Sequence, residues 1–394
     1  MGFDLKDLQM DCRFFSGYKP CSLNDECNAQ CPSKKIASPR ILIIHLEALG
    51  AVLRGTVVLR AIKRKWPQAH ITWITSNSAA PLLENNHLID RLLKNDHQGA
   101  LALSILSFDY GFCIDKSLSA AGLLRVPGKI KEVRGFGALD SGAIVPLNTE
   151  AQRVYELGLS NHEKFFVNKK PETQLIIESL GLDFQNDEYI FNFSKTDLLE
   201  LENAKIDLFG LKNFDHPVIG LNTGCSPTIS YKKFSISGWI KLIDILRRDF
   251  PRARILLLGG PEDTLRNEEI KAARPGSSVL TPTTLGLRSG LRYVNLCDVV
   301  VTGDSLGMHM AIALKKWVVA WFGPTCAHEI DLYGRGVAIE TSAPCSPCWK
   351  RECDKPVMCY DQVDFEEVSK GVKLGLKPDK VFAPAAKKIP EISL

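Results

Sequence analysis

The chain lacks several features, and each absence removes a class of protein. No apolar run approaches the roughly 18 residues that a membrane-spanning helix needs. One of the longest is Trp317–Phe322, the length of a buried strand. The first residues, Met1 to Asp11, are too polar for the apolar core of a signal peptide, so a cytoplasmic location is expected. Neither sign of charge dominates: 49 Lys and Arg face 45 Asp and Glu, a formal net charge of +4. With no basic motif present, a nucleic-acid protein is not expected. Contact with an anionic membrane surface would need a local basic patch. No GxGxxG and no GxxxxGK[ST] occurs, which argues against dinucleotide and P-loop sites of the usual kind. No short-period repeat is visible.

What is present suits a soluble globular protein of two ordinary domains. The chain has 394 residues, 45% hydrophobic and 24% charged. Disorder over most of its length is excluded by that balance. Its twelve cysteines are unevenly spread. Cys12, Cys21, Cys27 and Cys31 form one group, and Cys345, Cys348, Cys353 and Cys359 another. Cys113, Cys225, Cys297 and Cys326 are scattered. In a reducing compartment, two groups of four read first as metal sites.

Residues 1–38 carry the first cysteine group and turn formers such as Gly17, Pro20 and Pro32, without helical or strand period. A segment this short needs a metal, a disulfide or docking onto the body to hold a shape. Order is expected from Arg40. Ile41–Leu46 reads as a buried parallel strand, Glu47–Gly50 as a turn, and Ala51–Lys65 as a helix stopped by Pro67. Strands follow at His70–Thr75 and within Ile105–Ile114, with a short helix from Pro81 between them. Residues from about 147 to 213 look mostly helical, with strand-like pieces near Tyr189–Phe193. A second alternation starts at Pro217: a strand at Val218–Asn222, a helix at Ser237–Phe250, and strands at Arg254–Leu258, Val299–Thr302 and Trp317–Phe322. The pattern is α/β, with parallel sheets covered on both faces. The domains expected are 39–213 and 214–362, followed by a helix over Asp364–Leu376 and a loose tail.

In open α/β sheets, ligands bind at the carboxyl ends of strands. Three such ends in the second half carry small or polar residues: Asn222–Ser226, Gly259–Asp263 and Thr302–Gly307. The last opens a helix, whose free N–H groups and dipole suit a phosphate. Lys232 and Lys233 could neutralise a leaving diphosphate, and Glu262 could accept bonds from ribose or sugar hydroxyls. Each feature also has a plain structural explanation. A strand-end glycine is often only a turn, Asp304 could merely cap a helix, His309 could be a hydrogen-bonded core residue, and a lysine pair is usually solvated. The convergence of several loops on one edge favours a site.

At these residues the sequence resembles glycosyltransferase family 9, the ADP-heptose:lipopolysaccharide heptosyltransferases. The likeness is carried by Ile41–Val52, His70–Ile74 and Leu83–Asn86, then Ile219–Gly224 with Lys232-Lys-Phe, then Val299–His309 and Val318–Thr325. Cys345–Cys353 resembles a tail found in many members, and residues 1–38 lie outside the common core. The resemblance implies a GT-B architecture of two Rossmann-like domains facing across a cleft, with the last helix crossing back to the first domain. It implies inverting, metal-independent transfer of a heptose from ADP-heptose to a lipopolysaccharide-core hydroxyl. By motif, Lys232 would contact the donor phosphates, Glu262 the ribose, and Asp304 with His309 the sugar and diphosphate. Ser305, Leu306 and Gly307 would supply backbone N–H groups, beside Thr223 and Gly224. The acceptor would be an anionic glycolipid at the inner face of the membrane, met by Arg134 and, less distinctly from ordinary surface charge, Lys129 and Lys131.

One position departs from the family. Gly-Asp usually follows the first strand, and that Asp is the expected base. Here Gly50 is followed by Ala51, which takes no proton. Glu47, in the same loop, is the candidate replacement, while His45 is expected to be buried. Ala51 also favours an alternative: a silent member that binds a nucleotide sugar without turning it over. A different sugar donor is a further alternative. The two cysteine groups could each hold a structural zinc or an iron–sulfur cluster, or remain thiols or disulfides; transfer itself would need no metal.

Overall fold

The computed structural model describes residues 11–15, 17–210 and 215–376. Its contacts divide the chain into two units. One comprises the residues up to Ser194 with His328–Asp331, and the other Lys195–Ala327 with the residues from Leu332 on. The division falls before residue 195, earlier than the 213/214 boundary read from composition.

The first unit runs β1 (Arg40–Ile44), α1 (Leu49–Gly55), α2 (Val57–Lys65), β2 (His70–Thr75), α3 (Ala80–Leu83), β3 (Arg91–Lys94), α4 (His97–Ser104), β4 (Ser107–Cys113), α5 (Leu118–Leu123), β5 (Lys129–Ala138), β6 (Ile144–Pro146), α6 (Thr149–Leu159) and α7 (Glu172–Ser179). Its sheet order is β3-β2-β1-β4-β5-β6, parallel except for β6. Ile41 to Ile44 are wholly buried, as a strand covered on both faces requires. The order reverses between β1 and β4, where Ile44 pairs with Cys113. Residues 45–47 and 114–116 therefore emerge side by side.

The expected single helix over Ala51–Lys65 is two. Thr56 lies between them, fully buried. Its hydroxyl donates to the Leu53 carbonyl at 2.6 Å and accepts from the Ile190 N–H at 2.8 Å. The Tyr189–Phe193 stretch, read as strand-like, joins no sheet, and its Ile190 N–H goes to this hydroxyl.

The second unit runs α8 (Lys195–Phe209), β7 (Val218–Asn222), α9 (Ile236–Asp249), β8 (Arg254–Leu258), α10 (Thr264–Ala273), β9 (Val279–Leu280), α11 (Leu287–Leu296), β10 (Val299–Gly303), α12 (Leu306–Ala313), β11 (Trp317–Phe322), β12 (Gly336–Glu340) and α13 (Phe365–Gly375). Its sheet is parallel throughout, in the order β12-β11-β10-β7-β8-β9. Counted within the unit this is the doubly wound order 3-2-1-4-5-6. The reversal lies between β7 and β10. The α9 cap is Ser235, whose hydroxyl accepts from Gly238 N–H at 3.1 Å.

The terminal helix α13 belongs to this second unit, which corrects the expectation that it returns to the first. Val368 and Val372 are fully buried in the core with Trp239, Val299 and Trp321. Trp317 donates its indole N–H to the Gly371 carbonyl at 3.0 Å, and Ser369 donates to Asp249 at 2.6 Å. The apolar stripe of α13 is spent on its own unit. The expected loose tail beyond Leu376 lies outside the described residues.

The cysteine-bearing extension docks onto the first unit. Arg13 forms an ion pair with Asp90 at 2.9 Å and donates to the Ala69 carbonyl, while Cys12 bridges Ile36 within the extension.

Candidate active site

Both sheets place loops at their reversal points. In the second unit these are the exits of β7 and β10. Asn222, at the end of β7, is buried. Its amide donates to the Ser305 hydroxyl at 2.9 Å, the Thr302 hydroxyl at 3.2 Å and the Gly224 carbonyl at 3.1 Å. One side chain thus ties both loops to the start of α12. A Cβ on Gly307 would run into that amide, so the first turn of α12 lies directly against the β7 loop. Ser305 is the N-cap residue, and its side chain makes no capping bond. The N–H groups of the first turn have no partner within the helix and suit a phosphate.

Lys232 and Asp304 meet at 3.4 Å, each about 15% exposed, so the two residues singled out for the diphosphate are brought together. His309 is buried in α12. Thr223 is fully buried, and its hydroxyl is committed to Asn267 at 2.5 Å and Leu258 at 3.3 Å. Its N–H is also engaged, donating to the Leu258 carbonyl at 3.3 Å, so Thr223 shapes the loop from within. Gly224 lies against the Asp263 carboxylate. Asp263 accepts from the Gly260 N–H at 3.0 Å, and burial pushes its pKa up. Glu262 is exposed in the turn Pro261–Asp263, on the same strand edge.

In the first unit a cavity of about 190 Å³ opens at the β1/β4 reversal. His45, Glu47, Ala51, Arg54, Asp115 and Glu172 are in its wall, with Lys116 beside them. His45 is buried, and burial together with Arg54 pulls its pKa down to about 3. It is a neutral imidazole at any ordinary pH, in line with its expected burial. Glu172 is ion-paired to Arg54. Asp115 accepts the Leu46 N–H at 2.5 Å and lies 3.4 Å from His45 Nε2. Burial raises its pKa to about 6, the backbone N–H groups of Leu46 and Glu47 opposing and the Glu47 charge adding. Glu47 itself is exposed.

Arg134 is occupied elsewhere. It bonds Glu132 at 2.6 Å and the Leu180 and Gly181 carbonyls at 3.0 and 3.4 Å, with its guanidinium over the Tyr110 ring. Lys131 pairs with Asp109 at 2.6 Å. The basic run of β5 is thus largely sheet-edge structure. Sequence reasoning passed over Arg54, Asp115, Lys116 and Glu172. Asp115 had a usable signal, an acidic residue two places beyond a strand next to β1. The others lie on elements whose arrangement only the fold decides.

Cys345, Cys353 and Cys359 join a small apolar cluster with Ile229, Tyr231 and Ala343. Burial, then the nearby Cys348, Cys353 and Cys345, push the Cys359 thiol up to about 11. The group Cys12, Cys21, Cys27 and Cys31 is spread over the extension. Among the described residues neither set closes into three or more side chains positioned to hold a metal ion. Among the described residues no disulfide joins any of the twelve cysteines.

A family model described as glycosyltransferase family 9 (heptosyltransferase) matches residues 162–358. A lipopolysaccharide heptosyltransferase 1 from Campylobacter coli is 23% identical over 348 residues, 85% of this chain and 98% of that protein. Among solved structures, a family 9 glycosyltransferase from Veillonella parvula has a TM-score of 0.65 at 16% identity, over 86% of this chain and 97% of its own. The E. coli ADP-heptose lps heptosyltransferase II has a TM-score of 0.60 at 16% identity, over 86% and 98%. The iron-containing dodecameric glycosyltransferase TibC of E. coli has 0.53 at 12%, over 86% and 76%. Two α/β units with parallel sheets, the GT-B fold and the match over half of the chain agree: this chain is a glycosyltransferase and belongs to family 9, the heptosyltransferase family.

Proposed function

We propose that the chain transfers a heptose from ADP-heptose to a hydroxyl of the lipopolysaccharide core or a related glycan, with inversion. The observation that carries this reading is the start of α12. There Asn222 ties the β7 and β10 loops together, and the Lys232–Asp304 pair stands at the same strand edge. The E. coli relative described as binding ADP, with a TM-score of 0.55, supports the choice of nucleotide. The acceptor hydroxyl attacks the anomeric carbon, the bond from that carbon to the diphosphate oxygen breaks, and ADP leaves with the electron pair. Lys232 and the N–H groups of Ser305, Leu306 and Gly307 offset the charge growing on the phosphate. Asp304 and His309 face the sugar, Glu262 the ribose, and Thr223 and Gly224 line the loop.

The hydroxyl proton goes to Glu47. Three carboxylates line the first-unit cavity. Glu172 is held by Arg54 and Asp115 by backbone N–H groups, which leaves Glu47 to replace the carboxylate that Ala51 cannot supply. Lys116, beside the same cavity, is the cation for an anionic acceptor, in place of the engaged Arg134. We place the reaction at the inner face of the cytoplasmic membrane, on a glycolipid reached by peripheral contact. No helix of the described residues is long and apolar enough to cross a membrane. A structural zinc or iron, if one is resident, draws on Cys345, Cys348, Cys353 and Cys359. Cys345, Cys348 and Cys353 lie within electrostatic reach of Cys359 without closing into a metal-binding group, and TibC is described as containing iron.

A donor screen over ADP-heptose and UDP-, GDP- and other ADP-sugars, with and without core acceptor, tests the reading. Selective binding of ADP-heptose with acceptor-dependent ADP release is expected. Glu47→Gln lowers transfer by about 10²–10⁴-fold and leaves donor binding intact. Tight binding without turnover on any acceptor would instead mark the silent member that Ala51 allows, and absence of nucleotide-sugar binding overturns the assignment.

A further inference from the structure

We infer that Asp115 is the positioning residue of the Glu47 loop: its buried carboxylate fixes the backbone that presents the proposed base. The inference rests on Glu47 acting in the reaction proposed above. Its grounds are geometric. The β1/β4 register, Ile44 against Cys113 with Ile114 N–H on the Ile44 carbonyl at 3.0 Å, brings Asp115 alongside the exit of β1. The side chain is only 10% exposed, so bulk water competes little for its oxygens. Its contacts fall on three successive residues: His45 Nε2 at 3.4 Å, the Leu46 N–H at 2.5 Å and the Glu47 N–H. A carboxylate is the only side-chain type that accepts at both oxygens while donating nothing. It therefore suits two backbone N–H groups, and an amide, which turns a donor toward one of them, does not.

The charge on Asp115 matters because N–H bonds to an ionised acceptor are shorter and stronger than neutral ones. The ionisable groups around it are His45 and Glu47 from the β1 exit, Arg54 from α1, Cys113 from β4, Lys116 beside it and Glu172 from α7. His45 stays neutral and Glu172 is paired with Arg54. Burial and the Glu47 charge bring the Asp115 titration to about 6. Below that pH the carboxyl is protonated, one oxygen turns donor, and the loop loses a backbone anchor. Transfer then falls on the acid side of about pH 6 through Asp115.

The test is the pH profile of kcat for the unmodified full chain, joined to a cycle of Asp115→Asn, Glu47→Gln and the double variant. An acid limb near pH 6 is expected in the unmodified protein and is absent in Asp115→Asn. That variant loses about 10–100-fold in kcat, the scale of a misplaced catalytic group, while KM for the donor stays within two-fold. In the double variant Asp115→Asn adds nothing to Glu47→Gln. An unmodified profile flat through pH 6, additive losses, or a donor KM that rises with the kcat loss overturns the positioning role. If Glu47→Gln is active while Asp115→Asn is dead, Asp115 is the base itself, and both readings fail in a recognisable way. Asp115→Glu, which keeps the charge with a longer reach, recovers part of kcat and the acid limb if the variant folds. The unmodified profile stands without any variant.

Discussion

Lys232 and Lys233 are adjacent, yet the fold separates their surroundings. Lys232 pairs with Asp304 beside the α12 start. Lys233 lines a different hollow of about 390 Å³ with Arg266, Arg351 and Glu352. A charge-assisted contact to a phosphate is worth about 1.5–3 kcal/mol, so Lys232→Ala should weaken donor binding by roughly 10–150-fold. Lys233→Ala should leave it within about two-fold, in the range of a surface substitution. Titration calorimetry with ADP-heptose reads both. Equal losses would show that both lysines serve the donor. The pair illustrates what residue type conveys. Both lysines were candidates in the sequence; the path of the chain beyond β7 gives them different surroundings.

At the level of elements, Thr56 holds the break between α1 and α2. Thr56→Ala removes one bond and leaves the Ile190 N–H without its acceptor, a cost of about 1–3 kcal/mol for a buried donor. Chemical denaturation should show that loss with the slope unchanged, whereas a loss under about 0.5 kcal/mol would mean the segment re-pairs. The turn after β4 carries a pH signature. Burial raises the folded pKa of Asp115 from 3.8 to about 6. The folded state then binds the proton more tightly, and stability falls as pH rises from about 4 to 6, by roughly 3 kcal/mol. His45 acts oppositely. Its folded pKa is depressed to about 3, so its contribution is present above about 6.5 and is lost as pH falls. Asp115→Asn removes the first effect alone. Its stability relative to the unmodified protein should rise between pH 4 and 6, as read by denaturation at each pH. A difference independent of pH would contradict the burial-driven shift.

The whole molecule repeats one plan twice. Each unit has a sheet whose order reverses beside its first strand, and each reversal gathers polar side chains. The proposed diphosphate site draws on three separated loops, two of which Asn222 ties together. If Cys345, Cys348, Cys353 and Cys359 take up an ion, metal analysis of full chain purified without chelator should find about one per molecule, in keeping with four thiolates per tetrahedral site. The ion should be lost in a Cys345→Ser/Cys348→Ser variant and kept in Cys21→Ser. Four titratable thiols with no metal would leave packing as their only role.

From sequence alone came the α/β class, the alternation that makes two parallel sheets, and the strand-end loops around Asn222, Glu262 and Asp304. Those features are periodic or local: buried parallel strands must be continuously apolar, and loops must follow them. Against the family resemblance the sequence also shows Ala51 without a carboxylate, and Glu47 is the substitute proposed for it. Tertiary structure decided the rest, because the rest depends on which strands neighbour which. Only the β1/β4 register brings Asp115 to the Glu47 loop. Only packing turns Arg134 inward to Leu180 and Gly181, commits the Thr223 hydroxyl to Asn267, and seats α13 on α9 within its own unit. Side-chain partners set by long-range pairing leave no trace in local spacing, and that is where the sequence reading gave way.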